Sequence, residues 1–205
     1  MEVGVLALQG GFREHTTTLR RLGVVSREVR LPYQLEGLDG LIVPGGESTT
    51  IGKLAADYGL VDPIKSFAKG GRPVWGTCAG AIFLAKPSDA KQSVLGLIDV
   101  VIERNAFGRQ IDSFEANIET DLLPDIESEG LGVGSNKHKF LGVFIRAPII
   151  VAVGPSVDVV GKLVTGEVVA ARDNNLLVTV FHPELTNDCR FHEYFLRMSG
   201  ERTTG

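Results

Sequence analysis

The chain has 205 residues, 43% of them hydrophobic, and carries a formal net charge of −4. This composition is typical of a globular protein and excludes a disordered chain, while the acidic balance gives no electrostatic reason to expect nucleic-acid binding. No apolar run approaches the roughly 20 residues of a membrane span, and two cysteines are too few for a disulfide framework, so we expect a protein of the reducing cytoplasm.

In the first half of the chain, short apolar runs alternate with segments of helical periodicity. The apolar runs predict strands at residues 3–8, 24–30, 40–43 and 73–75, and the periodic segments predict helices at 12–22, 48–58, 61–68 and 79–86. This alternation indicates an α/β fold, a three-layer α/β/α sandwich with a mostly parallel central sheet. Ligands of such sheets bind beyond the carboxyl ends of the strands, so motifs at strand ends are the candidates for function.

The second half is richer in strand-like segments. They cover residues 94–103, 114–119, 140–146, 149–153 and 157–164, with a predicted hairpin of 167–171 and 176–181 and a final helix at 190–198. Glycine, serine, proline and charged residues over 123–139 predict a surface loop. We expect one domain over residues 1–200, followed by a flexible tail at 201–205.

The most informative stretch is Gly76-Thr77-Cys78-Ala79-Gly80, which joins an apolar strand directly to a helix. It has the form of a nucleophile elbow, with a thiol in place of a hydroxyl. Glycines are needed there because the turn is sharp and the adjacent backbone is crowded. The nucleophile would stand at a helix N-terminus, whose dipole favours a thiolate. The alternative is a small buried cysteine in a glycine-rich turn.

A second motif, His182-Pro183-Glu184, ends the last predicted strand. In an extended chain, residues two apart face the same way, so the carboxylate can lie beside the imidazole and orient it. Pro183 fixes its own φ and keeps His182 out of the helical region. Alone, the motif is equally consistent with a strand-end histidine beside a solvated glutamate. Together with the cysteine elbow, it favours a catalytic triad of Cys78, His182 and Glu184.

A third motif is a turn of sequence Pro-Gly-Gly-Glu-Ser-Thr-Thr at residues 44–50, between a predicted strand and a predicted helix. Free N–H groups at such a place bind anions, but no lysine follows the glycines, so the turn is not a P-loop. We expect an oxyanion hole in which the Gly46 N–H faces the Ala79 N–H across the nucleophile. The alternative is an ordinary helix start capped by Ser48 or Thr49.

The order of these motifs resembles that of class I, triad-type glutamine amidotransferases. Six segments narrow the resemblance to the glutaminase subunits of pyridoxal 5'-phosphate synthase, and they lie at residues 5–10, 44–50, 75–80, 104–110, 144–148 and 181–186. They extend from the first predicted strand to the last predicted helix, so the resemblance covers nearly the whole chain.

The resemblance implies thiol-mediated hydrolysis of glutamine. Cys78 would attack the carboxamide, and His182 would take the thiol proton and later protonate the departing ammonia, with Glu184 orienting it. The tetrahedral oxyanion would be stabilised by Gly46 and Ala79. The positions that match the family's glutamine-binding residues are Gly46, Glu47, Ser48, Arg104, Ile145 and Arg146. An arginine suits the α-carboxylate of glutamine as a charge-assisted partner.

In families similar to this chain, the ammonia passes to a separate synthase subunit, which builds pyridoxal 5'-phosphate from a pentose phosphate and a triose phosphate. The resemblance therefore implies L-glutamine and that synthase subunit as partners, no cofactor, and a glutaminase that is nearly silent until docked. We expect docking around Gln9, Gly10 and His15. The alternative for His15 is a helix histidine whose hydrogen bonds are satisfied within the fold.

Three alternatives remain: a cysteine peptidase of similar fold, a non-catalytic binding or regulatory subunit, and a glutaminase that serves another synthase. The His-Pro-Glu motif and the glycine-rich turn argue against a peptidase, and the intact triad argues against a non-catalytic subunit. Among the other residues, we interpret Cys189 as a packing thiol and His192 as a surface or interface residue. The histidines and cysteines show no metal-ligand spacing.

Overall fold

The computed structural model describes residues 1–87, 94–104, 113–122 and 139–200. The strands are β1 Glu2–Leu6, β2 Val25–Val29, β3 Gly40–Val43, β4 Val74–Thr77, β5 Ala85–Lys86, β6 Ile98–Glu103, β7 Ser113–Glu119, β8 Lys139–Ile145, β9 Ile149–Val153, β10 Asp158–Leu163, β11 Val168–Asp173 and β12 Leu176–Thr179. The α-helices are α1 Phe12–Arg21, α2 Ser48–Asp57, α3 Val61–Lys69, α4 Ala79–Leu84 and α5 Arg190–Gly200. Short 3-10 turns lie at Pro32–Leu35 and Pro183–Leu185.

Five neighbouring strands run parallel in the order β2-β1-β3-β4-β12. The inner four are almost wholly buried, as expected of strands that are covered on both faces. Across the sheet, the step from β1 to β2 runs towards one edge, whereas the step from β3 to β4 runs towards the opposite edge. Right-handed crossovers therefore place α1 on one face and α2 and α3 on the opposite face. The reversal between β1 and β3 marks the place where sheets of this type bind ligands.

Beyond β12, the sheet continues antiparallel through β11, β10, β7 and β8. A branch leads from β11 through β9 to β6, which pairs in turn with β5. The predicted hairpin is confirmed as the antiparallel pair β11 and β12. The predicted α/β fold class is also confirmed, and the parallel strands form the half of the sheet that carries the three motifs.

Trp75 in β4 joins two helices to the sheet. Its fully buried ring lies 5.6 Å from the ring of His15 in α1 and 5.0 Å from the ring of His192 in α5, measured between centroids. Its Nε1–H donates to Thr179 Oγ1 at 3.1 Å. These contacts tie β4 and β12 to the same helical layer, and so they set the relative position of the strand ends that carry the cysteine and histidine motifs.

The helix predicted over residues 79–86 ends earlier than expected, at Leu84. Ala85 adopts an extended conformation, with ψ of 169°, and pairs with Ile98 of β6. Pro87 explains the difference. A proline ring clashes with the carbonyl four residues before it, and the residue that precedes a proline avoids the helical region.

Two sequence predictions fall mainly on residues that the structure does not describe. Of the loop predicted over residues 123–139, only Lys139 is described, and it begins β8. The tail predicted at 201–205 lies outside the described residues. None of the helices in the described ranges is long and apolar enough to cross a membrane.

Candidate active site

Cys78 occupies a strained turn between β4 and α4. Its φ of 48° and ψ of −108° lie outside the regions that most residues adopt, and its N–H donates to Thr179 O at 2.7 Å. Close backbone approach requires both glycines of the motif. A Cβ on Gly76 would lie 2.6 Å from Gly80 O, and one on Gly80 would lie 2.0 Å from Val43 O. The turn is therefore as sharp as the elbow motif predicts.

His182 and Glu184 form a buried pair. His182 Nδ1 lies 2.7 Å from Glu184 Oε1, and the Glu184 side chain is 1% exposed. The predicted side-by-side placement is confirmed, but the predicted extended backbone is wrong, because β12 ends at Thr179 and Pro183 begins a 3-10 turn. Proline suits the first position of a helical turn, since its φ is preset and no N–H is needed there.

The thiol and the imidazole meet beside Gly45, where a Cβ would lie 2.6 Å from His182 Cε1 and 3.2 Å from Cys78 Cβ. Burial of the His182 ring opposes its protonation, but hydrogen bonds and negative charge from Cys78 and Glu184 outweigh burial and raise its pKa to about 10. Burial also opposes ionisation of Glu184, yet His15 and His182 hold its pKa below the ordinary value. The pairing thus favours a protonated His182 beside the Glu184 carboxylate.

The glycine-rich turn packs against the loop that follows β1. Gly45 N–H donates to Thr77 Oγ1 at 3.0 Å, and Gly45 O accepts from Gly11 N–H at 3.0 Å. Because the peptide is trans, the Gly46 N–H points away from Gly11. Ala79 is the first residue of α4, so its N–H has no acceptor within the helix. Both predicted oxyanion donors therefore lie in segments that adjoin the cysteine.

Gln9 and Gly10 hold the other side of this turn. Gln9 Oε1 accepts from the Glu47 N–H at 2.7 Å. Gly10 has a φ of 91°, and a Cβ there would lie 1.8 Å from Gly45 O. The turns that follow β1 and β3 thus form one packed unit at the point where the strand order reverses.

Glu47 caps α2. Its carboxylate accepts from the N–H groups of Thr49 at 3.0 Å and Thr50 at 2.7 Å, and from the Thr50 hydroxyl at 2.6 Å. The bond from the Thr50 hydroxyl is the largest cause that lowers the pKa of Glu47 to about 2. The alternative prediction of a cap at Ser48 or Thr49 is wrong, because the preceding glutamate takes that position.

Arg104 reaches the start of α2 from the end of β6. Its side chain is exposed, and its Nη1 donates to Thr49 Oγ1 at 3.3 Å. Ser48 is buried at the first position of α2. The structure thus brings these two predicted glutamine-binding residues to one helix N-terminus, where the guanidinium and the helix dipole both attract a carboxylate.

The end of β8 lies beside the histidine motif. His182 N–H donates to Val143 O at 2.8 Å, two residues before β8 ends at Ile145. The side chains of Ile145 and Arg146 are exposed, and Arg146 has a φ of 43°. These two predicted positions therefore stand near the triad on the side of the antiparallel strands, while Arg104 stands near the glycine-rich turn.

Two histidines lie behind the triad, where the docking interpretation of His15 and the surface interpretation of His192 are wrong and the alternative of a satisfied helix histidine fits His15. His15 and His192 are both 0% exposed, so His15 is not part of a docking surface and His192 is not a surface or interface residue. His15 Nδ1 lies 2.9 Å from His192 Nε2. His15 Nε2 lies 3.2 Å from Thr77 Oγ1 and 3.4 Å from Glu184 Oε2. Both rings therefore belong to the surroundings of the triad carboxylate.

The second cysteine has different surroundings from the first. Cys189 is partly buried just before α5, and its Sγ lies 3.7 Å from Asn187 O. Burial is the main cause that raises the pKa of its thiol, which favours a packing role over a nucleophilic one. Within the described ranges, no three histidine, cysteine, aspartate or glutamate side chains form a group that could hold a metal ion. Residues 105–110 of the resembling segment at 104–110 lie outside those ranges.

Together, these groups provide the parts of a thiol acyl-transfer site. A nucleophile, a base that hydrogen bonds to it and a carboxylate that orients the base are the three members of a catalytic triad. N–H groups at a helix start and in an adjacent glycine-rich turn can stabilise an oxyanion. The arrangement suits attack on a carbonyl carbon, with a thioester as the intermediate.

Residues 5–201 match the SNO glutamine amidotransferase family. The chain is 50% identical over 202 residues to a Dehalococcoides mccartyi protein named pyridoxal 5'-phosphate synthase subunit PdxT, and the match covers 97% of each chain. A protein of the same name from Chloroflexus aggregans is 53% identical over 202 residues, which cover 97% of this chain and all of that one. A crystal structure of a glutamine amidotransferase is similar with a TM-score of 0.86 at 48% identity, covering 97% of this chain and 98% of that one. The predicted resemblance is confirmed, and the chain belongs to the SNO glutamine amidotransferase family.

Proposed function

We propose that this protein hydrolyses L-glutamine to glutamate and ammonia with Cys78, His182 and Glu184, and that the ammonia serves a pyridoxal 5'-phosphate synthase subunit in vitamin B6 biosynthesis. The observation that carries the proposal is the 2.7 Å contact between His182 and Glu184 beside a cysteine held at a φ of 48°. Membership of a glutamine amidotransferase family supports glutamine as the substrate.

The reaction begins when the Cys78 thiolate attacks the carboxamide carbon of glutamine. A bond forms between sulfur and carbon, and the carbonyl electrons move to oxygen, where the N–H groups of Gly46 and Ala79 stabilise the oxyanion. The His182 imidazolium then gives its proton to the leaving nitrogen, the C–N bond breaks, and ammonia departs from a thioester. His182 next takes a proton from water, which attacks the thioester and releases glutamate and the thiolate. Glu184 orients the imidazole throughout.

Recognition of the amino-acid end of glutamine is assigned to residues around this site: Gly46, Glu47, Ser48, Arg104, Ile145 and Arg146. Arg104 lies at the N-terminus of α2, a favourable place for the α-carboxylate of the substrate. The Glu47 carboxylate is held by Thr49 and Thr50, so its first contribution is to fix the shape of the turn.

The synthase subunit is proposed as the partner because relatives about half identical to this chain are named as subunits of that enzyme. Gln9 and Gly10 remain candidates for the docking surface, since Gly10 is exposed and Gln9 is partly exposed beside the glycine-rich turn. We place the protein in the cytoplasm because both of its cysteines are free thiols, as is usual in a reducing compartment.

The test measures ammonia release from glutamine by the wild type, Cys78→Ala and Cys189→Ala, each alone and with a pyridoxal 5'-phosphate synthase subunit. We expect release by the wild type and by Cys189→Ala when the synthase subunit is present. Cys78→Ala should release none above background. Cys189→Ala is the matched control, because it removes the second free thiol at a position outside the site.

Each of the other possible outcomes would refute a different part of this proposal. Release that persists in Cys78→Ala would refute the thiol mechanism. Release that needs a different synthase would refute the proposed partner, but it would still support glutaminase activity. Cleavage of a peptide substrate that depends on Cys78, without release from glutamine, would support the cysteine peptidase alternative.

A further inference from the structure

Glu184 is contacted through both of its carboxylate oxygens, and only one contact belongs to the triad. Oε1 lies 2.7 Å from His182 Nδ1, whereas Oε2 lies 3.4 Å from His15 Nε2 and has no hydrogen-bond partner among the described residues. The side chains of His15 and Glu184 are 0% and 1% exposed. A buried carboxylate oxygen without a donor is costly. The His15 ring is therefore the group placed to supply one, although its Nε2 lies slightly beyond the usual N–H···O distance of about 2.7–3.2 Å.

The surroundings of His15 and His192 indicate where the proton of each ring lies. Burial, which outweighs the opposing effect of Glu184, lowers the pKa of His15, and burial holds the pKa of His192 well below its ordinary value. Burial therefore favours the neutral form of both rings, in which each carries one proton. In the tautomer with the proton on Nε2, that nitrogen can donate towards Thr77 Oγ1 at 3.2 Å or Glu184 Oε2 at 3.4 Å, and His15 Nδ1 accepts from His192 Nε2–H at 2.9 Å. The opposite tautomer of His15 would aim a lone pair at the carboxylate.

Trp75 packs against both rings. Its plane is inclined by 80° to His15 and by 76° to His192, with centroid distances of 5.6 and 5.0 Å. Such T-shaped contacts are favourable, and they restrict rotation of the imidazoles while the ring nitrogens remain able to hydrogen bond. The pair is therefore held by α1, β4 and α5 together.

We propose that His15, kept in its Nε2–H tautomer by His192, is a positioning residue for the triad carboxylate. It restrains Glu184 through the oxygen that His182 does not use. Thr77 extends the effect, because its Oγ1 lies 3.2 Å from the same His15 nitrogen and accepts from Gly45 N–H at 3.0 Å. One buried ring thus connects the triad carboxylate with the glycine-rich turn. This inference rests on the proposed glutaminase function.

Two substitutions at the same position separate the two ring nitrogens. In His15→Gln, the amide nitrogen falls near the place of Nε2 and can still donate to Glu184. In His15→Asn, the shorter side chain falls near the place of Nδ1, so it can still pair with His192 but leaves Glu184 Oε2 without a donor. We expect His15→Asn to lower kcat about tenfold to a hundredfold, the range for a buried hydrogen bond to a charged group. KM for glutamine should change little, and His15→Gln should retain most of the activity, both measured with the synthase subunit bound.

The pH profile distinguishes positioning from a loss of folded protein. Without a donor, the pKa of Glu184 rises, so the acidic limb of kcat/KM should move to higher pH in His15→Asn and not in His15→Gln. The other charged groups that act on these rings, His182 and Glu14 on His15 and Arg21 on His192, are unchanged in both variants. Equal losses in the two variants, with an unshifted acidic limb, would overturn the inference.

A second measurement does not depend on activity. The chain has four histidines, so isotopic labelling of histidine nitrogen allows each ring to be assigned in the magnetic resonance spectrum by substitution. We expect His15 and His192 to be neutral with the proton on Nε2, and the His15 signals to change in Glu184→Gln. A charged His15, or a proton on its Nδ1, would refute the inference. Absence of ammonia release by the wild type would instead refute the proposed function, while these signals would still test the hydrogen bond.

Discussion

The contact between the start of α4 and the glycine-rich turn predicts a large effect from one added methyl group. In Gly80→Ala, the new Cβ would lie 2.0 Å from Val43 O and 2.9 Å from Pro44 O. Carbon and oxygen need about 3.3 Å, so the two segments must separate by roughly 1 Å. Overpacking of this kind costs about 1–3 kcal/mol, and each kcal/mol lowers the melting temperature of a chain of this size by about 2–4 °C.

The same movement displaces the Ala79 N–H from the Gly46 N–H, and a shift of about 1 Å can cost on the order of 100-fold in rate. Thermal denaturation and ammonia release with the synthase subunit measure the two effects. Gly70→Ala is the control, because Gly70 has an ordinary φ of −74° and its new Cβ would meet only carbonyl oxygens of its own helix, at 3.3 and 3.4 Å. If Gly80→Ala has the same melting temperature and the same rate of ammonia release as Gly70→Ala, the reasoning is refuted.

Three other predictions test the carboxylates and the histidine. Glu184→Gln should lower kcat for ammonia release on the order of 10⁴-fold, as loss of the triad charge does elsewhere, and a loss no larger than that of a surface substitution would remove Glu184 from the triad. Glu47→Ala should lower the melting temperature by a few degrees, because loss of an N-cap costs about 0.5–2 kcal/mol; unchanged melting would contradict this. The pKa of His182 is raised from 6.5 to about 10, so its protonated form stabilises the native state fully below pH 6.5 and progressively less as the pH rises to 10. The free energy of unfolding in urea should fall less steeply over that window in His182→Asn than in the wild type, and equal slopes would count against the raised pKa.

The cysteine and histidine motifs can be predicted from the sequence because their local backbone demands particular residues. A Cβ on Gly76 would meet Gly80 O within the same five-residue motif, at 2.6 Å. Pro183 begins the turn that brings Glu184 back towards His182. These requirements involve few residues beyond the motif itself, so a short sequence carries them.

The two histidines behind the triad are harder to predict, because their surroundings come from α1, β4 and α5. Helical spacing does give a partial signal: His15 lies four residues before the buried Leu19, and His192 lies three residues before the buried Phe195. Periodicity shows that a side chain faces the core, but it does not show which polar groups meet it there. The docking interpretation of His15 and the surface interpretation of His192 are wrong for that reason.

The direction of the later strands is equally absent from the sequence pattern. Buried strands read as apolar runs whether their neighbours are parallel or antiparallel, so β7 to β11 can be recognised as strands without their order or direction. The early end of α4 is different, since Pro87 is visible in the sequence and its effect on the preceding turn follows from sterics alone.

The three motifs work as one packed unit, and Gly45 shows why. Its N–H donates to Thr77, its carbonyl accepts from Gly11, and its missing Cβ leaves the space in which Cys78 and His182 meet. A displacement of the turn must therefore change the oxyanion donors and the separation of nucleophile and base at the same time. Any partner that docks beside the turn and moves it acts on every chemical step together, because each step uses a group that this glycine positions.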